Sequence, residues 1–274
     1  MAETSEQAPE ALTDEPYWDR VWQHTDEQSG AAPEILPDRD RPQARLAAIF
    51  ARHLGPGARF CEVGAGGSAW PAYVARTYRA ESWGIDFSRP GLAMTARAAA
   101  RAGQTVKLVE GDLFDRARLP AHHFDVVYSG GFVEHFPDAA PLMRRLAELV
   151  RPGGVVVTAV PHLRGLNGWL QRRVDPGCFA RHVAFTPHSL DAAHASGGLE
   201  AIEPAGYVGV IDLAAVNLGK TGLGAPPLLL KLWWAGVSKL RSASEWVADR
   251  LDRSDGGARL APCLIGVYAP GPIG

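Results

Sequence analysis

The chain has 274 residues, of which 46% are hydrophobic and 21% charged, and its formal net charge is −2. That length buries a full core as one large domain or a domain with a cap, and the composition is that of an ordinary soluble globular protein. A nearly neutral balance without a Lys/Arg block excludes nucleic acid as the main partner, and no uninterrupted apolar run reaches the roughly 20 residues of a bilayer span, so no membrane insertion is expected.

The acidic start, MAETSEQAPEALTDEP, lacks the pattern of a secretory signal. Cys61, Cys178 and Cys263 are odd in number and far apart, so they form neither a disulfide framework nor a metal-ligand cluster. A cytoplasmic protein without a metal is expected. Residues 1–14 read as a disordered tail. In residues 15–24, Tyr17, Trp18 and Trp22 sit at helical spacing. They fit an amphipathic helix docked on the core, or a lid over a ligand with Tyr17 as its polar tip. Residues 25–38 are polar and Pro-rich, a loop.

A helix is predicted over 40–54, with Asp40 as its N-cap and Leu46, Ile49, Phe50 and Leu54 on one face. Strand 1 follows at 58–63, then a glycine turn and a helix at 68–79. Strand 2 is Ser82–Asp86, and a helix covers 89–102. Strand 3 is Thr105–Val109 and strand 4 is Phe124–Ser129. A helix at 138–150 ends in Arg151-Pro152-Gly153-Gly154, and strand 5 covers 155–160. Short β-branched runs alternating with helices indicate a parallel sheet covered on both faces. Residues 161–183 read as a basic, aromatic, loop-rich stretch. A helix at 187–197, strand 6 at 199–211 and a last strand at 259–268 complete the pattern. Four segments result: a tail and lid (1–38), a core (39–211), a helical insertion acting as cap or dimer surface (212–258), and the final strand and tail (259–274).

Ligands of open α/β sheets bind beyond the carboxyl ends of the strands. Here Glu62 closes strand 1, Asp86 closes strand 2, Asp112 follows strand 3, and Ser129-Gly130-Gly131 ends strand 4. Gly64, Gly66 and Gly67 let a ligand lie directly on the backbone. Asp86 lies 20 residues past Gly66, the distance of a carboxylate that accepts hydrogen bonds from ribose hydroxyls. Asp112 can accept from an adenine amino group, with Leu113 and Phe114 in apolar contact. Three acids suit ribose, adenine and an ammonium group, and repel a pyrophosphate. Gly64-x-Gly66-x-x-Ala69 also fits a dinucleotide pattern, which leaves a nicotinamide-dependent oxidoreductase as an alternative.

Glu62-Val63-Gly64-Ala65-Gly66, Asp86, Gly111-Asp112-Leu113, Phe124-Asp125-Val126-Val127, Glu134-His135 and Arg151-Pro152-Gly153-Gly154 occur in order at matching spacing. In this the chain resembles class I S-adenosylmethionine-dependent methyltransferases of the small-molecule type, closely over about 40–160. Ser68 departs from the family, where many members have a third glycine. The resemblance implies a Rossmann-like, doubly wound, mostly parallel seven-stranded sheet whose last strand is antiparallel. It implies that Gly64 and Gly66 admit the methionine part of the cofactor, with Glu62 near its ammonium. It implies Asp86 on the ribose, Asp112 and Leu113 on adenine, and Ser129 and Gly130 beside the sulfonium. Tyr17, Ala65 and Phe87 complete the candidate cofactor set.

Methyl transfer gains mostly from alignment, and a hydroxyl acceptor is helped by a general base. His135 beyond strand 4 and His162 beyond strand 5 are the candidates, each with the alternative of a structural role. His182 and His188 lie further along. The expected function is methyl transfer from S-adenosylmethionine to an O or N atom of a small organic acceptor, in bacterial secondary metabolism. The alternative is the same fold doing non-methylating chemistry such as cyclisation, or serving as a subunit. A homodimer or a partner subunit is the expected assembly.

Overall fold

The structure is a computed structural model and describes residues 9–29, 32–210 and 257–271. Five parallel strands form one sheet: β1 (Arg59–Val63), β2 (Glu81–Asp86), β3 (Lys107–Glu110), β4 (Phe124–Gly130) and β5 (Val150–Pro161). β6 (Leu199–Val208) and β7 (Cys263–Pro270) extend it, giving the order β3-β2-β1-β4-β5-β7-β6. β7 runs antiparallel to both β5 and β6, as expected. The order reverses between β1 and β4, and this opens a crevice at the carboxyl ends of those strands.

Helices cover both faces. α2 (Arg41–His53) and α3 (Trp70–Tyr78) pack Leu46, Ile49, Phe50 and Val74 against Phe60, Val126 and Val157. α5 (Ala140–Leu149) and α8 (Pro187–Ser196) pack Leu142, Leu146 and Leu190 against the other face, with Val127, Val156 and Tyr268. α4 (Arg89–Arg101) lies beside α3. Capping fixes where these helices begin. Asp40 accepts from the Gln43 N–H, Ser88 from the Gly91 N–H, and Thr186 forms a capping box with Ser189.

Several expectations change. The first helix, α1 (Glu15–Ser29), runs past residue 24 into the stretch read as a loop, and a 3₁₀ turn at Pro37–Arg39 follows. The stretch 161–183 holds α6 (Leu166–Val174) and the single turn α7 (Pro176–Phe179), the latter started by Asp175 accepting from the Cys178 N–H. β5 begins at Val150 rather than 155, because the Pro-Gly-Gly stretch stays in the sheet as an irregularity opposite β4. Residues 9–14, assigned to a tail, lie along the body, and the Leu12 N–H bonds the His135 carbonyl at 2.8 Å. The helical insertion expected at 212–258 lies outside the described residues, except that 257–258 belong to the short helix Gly257–Leu260.

Candidate functional site

A cavity of about 530 Å3 opens over the ends of β1, β2 and β4. Its floor is the glycine turn. Gly64 has φ 74°, and a Cβ there would meet the Phe132 ring at 2.7 Å, so only glycine is accommodated. The Gly64 and Ala65 N–H groups both bond the Ile85 carbonyl at 3.0 Å, which ties the turn to β2. Thr95, fully buried on α4, holds it from beneath. Its hydroxyl donates to the Ala65 carbonyl at 2.6 Å and accepts from the Ser68 N–H at 3.1 Å. The Ser68 hydroxyl accepts from the Trp70 N–H at 3.1 Å just ahead of α3, which begins at Trp70 rather than at 68.

The three acids of the strand ends all face this cavity. Glu62 is buried, its Oε2 has no hydrogen-bond partner among the described residues, and burial pushes its carboxyl up to about 8. Asp86 accepts from the Gly66 N–H at 2.8 Å and the Ser88 N–H at 2.7 Å. Burial raises it to about 6 even so. One Asp112 oxygen accepts from the Phe114 N–H at 2.9 Å, which fixes the turn after β3. Buried Arg145 supports the same turn by donating to the Leu113 carbonyl at 2.8 Å.

Of the expected cofactor set, Glu62, Gly64, Gly66, Asp86, Phe87, Asp112, Leu113 and Gly130 line the cavity. Ala65 and Ser129 lie behind the wall, buried, and the Ser129 hydroxyl has no partner. Tyr17 faces away. The Arg181 guanidinium lies 4.9 Å from its ring centre, and burial raises its phenol. The lid face is instead made of Trp18 and Trp22, stacked at 5.7 Å and both on the cavity wall. A Cβ on Gly66 would lie 2.9 Å from both Trp22 Nε1 and Asp86 Oδ2, so the indole covers the turn itself. The Ser88 hydroxyl donates to Asp19 at 2.6 Å and latches α1 to the start of α4.

Neither histidine expected as a base reaches the cavity wall. His135 is buried, with its Nδ1 2.9 Å from the Arg181 carbonyl and the edge of Trp18 against its ring, and burial lowers it to about 4. His162 is buried behind β5, with Nε2 3.0 Å from the Ala258 carbonyl and Tyr207 against its ring. Sequence position put both at the ligand edge of the sheet, but not on which side of the chain they turn. Among the described residues the cavity wall carries no Lys, Arg, His or Cys, and its acceptor side is aromatic: Trp18, Phe114, Phe132 and Phe136. Trp18, Trp22, Phe132, Thr95 and Arg145 were not singled out from sequence as site residues. For the two tryptophans the signal existed, in their helical spacing.

Residues 61–158 match a family model described as a methyltransferase domain. The ubiquinone biosynthesis O-methyltransferase of Citrobacter koseri is 30% identical over 134 residues, 49% of this chain and 54% of that protein, so the chain spans about half the length of this curated relative. Among solved structures, the cyclase SpnF matches with a TM-score of 0.62 at 17% identity, covering 98% of each chain. A SAM-dependent methyltransferase from Geobacter sulfurreducens, in complex with S-adenosyl-L-homocysteine, matches with a TM-score of 0.56 at 17% identity, covering 92% of this chain and 98% of that one.

Proposed function

We propose that the chain is a class I S-adenosylmethionine-dependent methyltransferase, a reading supported by the methyltransferase-domain match over residues 61–158, and that it transfers a methyl group from S-adenosylmethionine to an O or N atom of a small organic acceptor. The observation that carries the reading is the buried Glu62, which among the described residues has an unpartnered oxygen facing a cavity with two further carboxylates and no cationic side chain. Such a wall fits a ligand that brings its own ammonium and a ribose, and opposes a pyrophosphate. Glu62 would take the ammonium, Asp86 the ribose hydroxyls, and Asp112 with Leu113 the adenine. Gly64 and Gly66 would lie under the methionine chain and Gly130 beside the sulfur, with Ala65, Ser129 and Phe87 supporting this cradle. Tyr17 would fasten the lid rather than touch the ligand.

Bound there, the sulfonium supplies a methyl carbon already activated for in-line displacement. The chain's part is alignment and exclusion of water. The aromatic wall would hold a planar or apolar acceptor, and the Trp18–Trp22 face would close over it. With no histidine on the wall among the described residues, the acceptor needs to present a nucleophile that is already deprotonated, such as a phenolate, a carboxylate or a neutral amine. We place this activity in bacterial secondary metabolism, and in the cytoplasm, where three free cysteines fit a reducing setting. Association through 212–258, as a dimer or with a partner subunit, is part of the same proposal.

A second reading rests on the same apolar, base-free wall: a bound cofactor that only shapes the cavity for a non-methylating reaction such as cyclisation. Calorimetry with S-adenosylhomocysteine and with NADPH, followed by incubation with methyl-labelled cofactor and phenolic, carboxylic and amine acceptors, decides among the readings. Binding of the first ligand and a labelled product are expected. Binding of NADPH alone would overturn the family of readings, and binding without any labelled product would favour the second.

A further inference from the structure

Behind the aromatic wall lies a group of side chains for which methyl transfer has no use. The 3₁₀ turn Val133–His135, which follows β4, carries Glu134 and His135, and the link between α7 and α8 carries His182. One ligand atom from each of the three lies within 4.8 Å of the others. The two imidazole rings are 4.7 Å apart between centres. The main chain joins the two segments, since the Val183 N–H bonds the Glu134 carbonyl at 2.7 Å.

The hydrogen bonds fix the chemistry of the rings. His135 Nδ1 lies 2.9 Å from the Arg181 carbonyl, and His182 Nδ1 lies 2.7 Å from the Cys178 carbonyl. A carbonyl oxygen only accepts, so both Nδ1 atoms carry the proton. Each neutral ring then keeps a lone pair on Nε2. An Nδ1–H held by a main-chain carbonyl, with Nε2 bare, is the usual state of a metal-binding histidine.

Glu134 supplies the second observation. It is 2% exposed, and its Oε2 has no hydrogen-bond partner among the described residues. A buried carboxyl oxygen left unmatched is costly and asks for a cation or a donor. The nearby guanidinium does not serve. Arg181 donates to the Gly177 carbonyl at 2.9 Å and lies over the Tyr17 ring.

We propose that Glu134, His135 and His182 bind one divalent transition-metal ion of the zinc class. Two imidazole nitrogens and one carboxylate are a donor set that suits zinc, and three protein ligands leave a fourth position for water. The Gly131 carbonyl also faces the His135 ring. The ion would tie the turn after β4 to the α7–α8 link. Gly131, Phe132 and Phe136, on either side of the ligands, are cavity wall. The ion is thus a positioning element for the acceptor side of the cavity and not a reactant. No sequence spacing announces it, because His182 is 47 residues from His135.

The test uses the full chain, stripped with a chelator, dialysed, and titrated with Zn²⁺ and Co²⁺. One equivalent of each is expected, with Zn²⁺ raising the melting temperature and Co²⁺ giving the intense visible bands of a four- or five-coordinate ion. Glu134→Gln and His182→Gln should each weaken Zn²⁺ by more than the ~10–100-fold that loss of an outer-shell partner costs, while His188→Ala binds as the parent does. Circular dichroism checks that each variant folds. Unchanged affinity in folded Glu134→Gln and His182→Gln would overturn the site. So would a parent protein whose Co²⁺ spectrum is that of the hexaaquo ion, a readout that needs no variant.

Discussion

Glu62 is where the chemistry of single residues is most exposed to measurement. Its carboxyl is held near 8 by burial, yet binding an ammonium requires the carboxylate. Affinity for S-adenosylhomocysteine should therefore rise as pH climbs toward about 8, by at most about tenfold per unit. Glu62→Gln should remove that slope and weaken binding by about 1.5–3 kcal/mol, the range for hydrogen bonds to charged groups. Calorimetry across pH reads both. The sign for the free protein is opposite. A carboxyl raised in the folded state binds more protons there than in the unfolded chain between its ordinary 4.5 and about 8, so its contribution to stability falls as pH rises through that window. Glu62→Gln should consequently melt higher than the parent above pH ~8. Asp86→Ala should weaken the same ligand by about 1–3 kcal/mol, and an unchanged dissociation constant would remove the ribose assignment. Glu62, Asp86 and Asp112 were legible in the sequence because a strand end has one orientation toward the ligand edge. His135 and His162 were not, because a residue just past a strand turns either into the cavity or behind it, and only packing decides which.

Among the elements, α1 is the one on which retention of a ligand depends. Its anchors include Asp19 on Ser88, Tyr17 under Arg181 and the Trp18 edge on His135. The first, together with Trp22 over Gly66, ties it to the glycine-turn side. Asp19→Ala should loosen that contact by about 1.5–3 kcal/mol. The rate of S-adenosylhomocysteine release should then rise about tenfold or more, with little change in association rate. Stopped-flow displacement would show it, and an unchanged release rate would mean α1 is a fixed wall. The helical spacing of Tyr17, Trp18 and Trp22 predicted this helix, but not that the two tryptophans face the cavity while the tyrosine turns outward. The missed helices α6 and α7 have a physical reason: their stretch is rich in Gly, Pro and basic residues, and α6 leaves Trp169 53% exposed, so no clean apolar period marks it. The parallel strands were legible because buried parallel strands are written as continuous β-branched runs.

For the molecule as a whole, the cavity and one face of the core are a single mechanical unit. Phe50 is fully buried and meets Phe60, Trp70 and Tyr128 edge-on at 5.4, 5.3 and 5.3 Å. Trp70 and Tyr128 also line the cavity. Phe50→Ala should cost about 3–5 kcal/mol and lower the melting temperature by roughly 2–4 °C for each of these. It should also weaken cofactor binding from a distance, which substitutions on the other face, such as Leu190→Val, should not do. Equal effects on binding from both faces would deny the link.

The last two strands carry one more implication. Val208 and Cys263 are opposite each other as a register pair of β6 and β7, so the chain between them leaves the sheet and returns at one spot. The frame does not register how long that excursion is, since doubling a loop costs only about 0.6 kcal/mol. The sheet is thus a frame indifferent to the length of chain carried between these two residues.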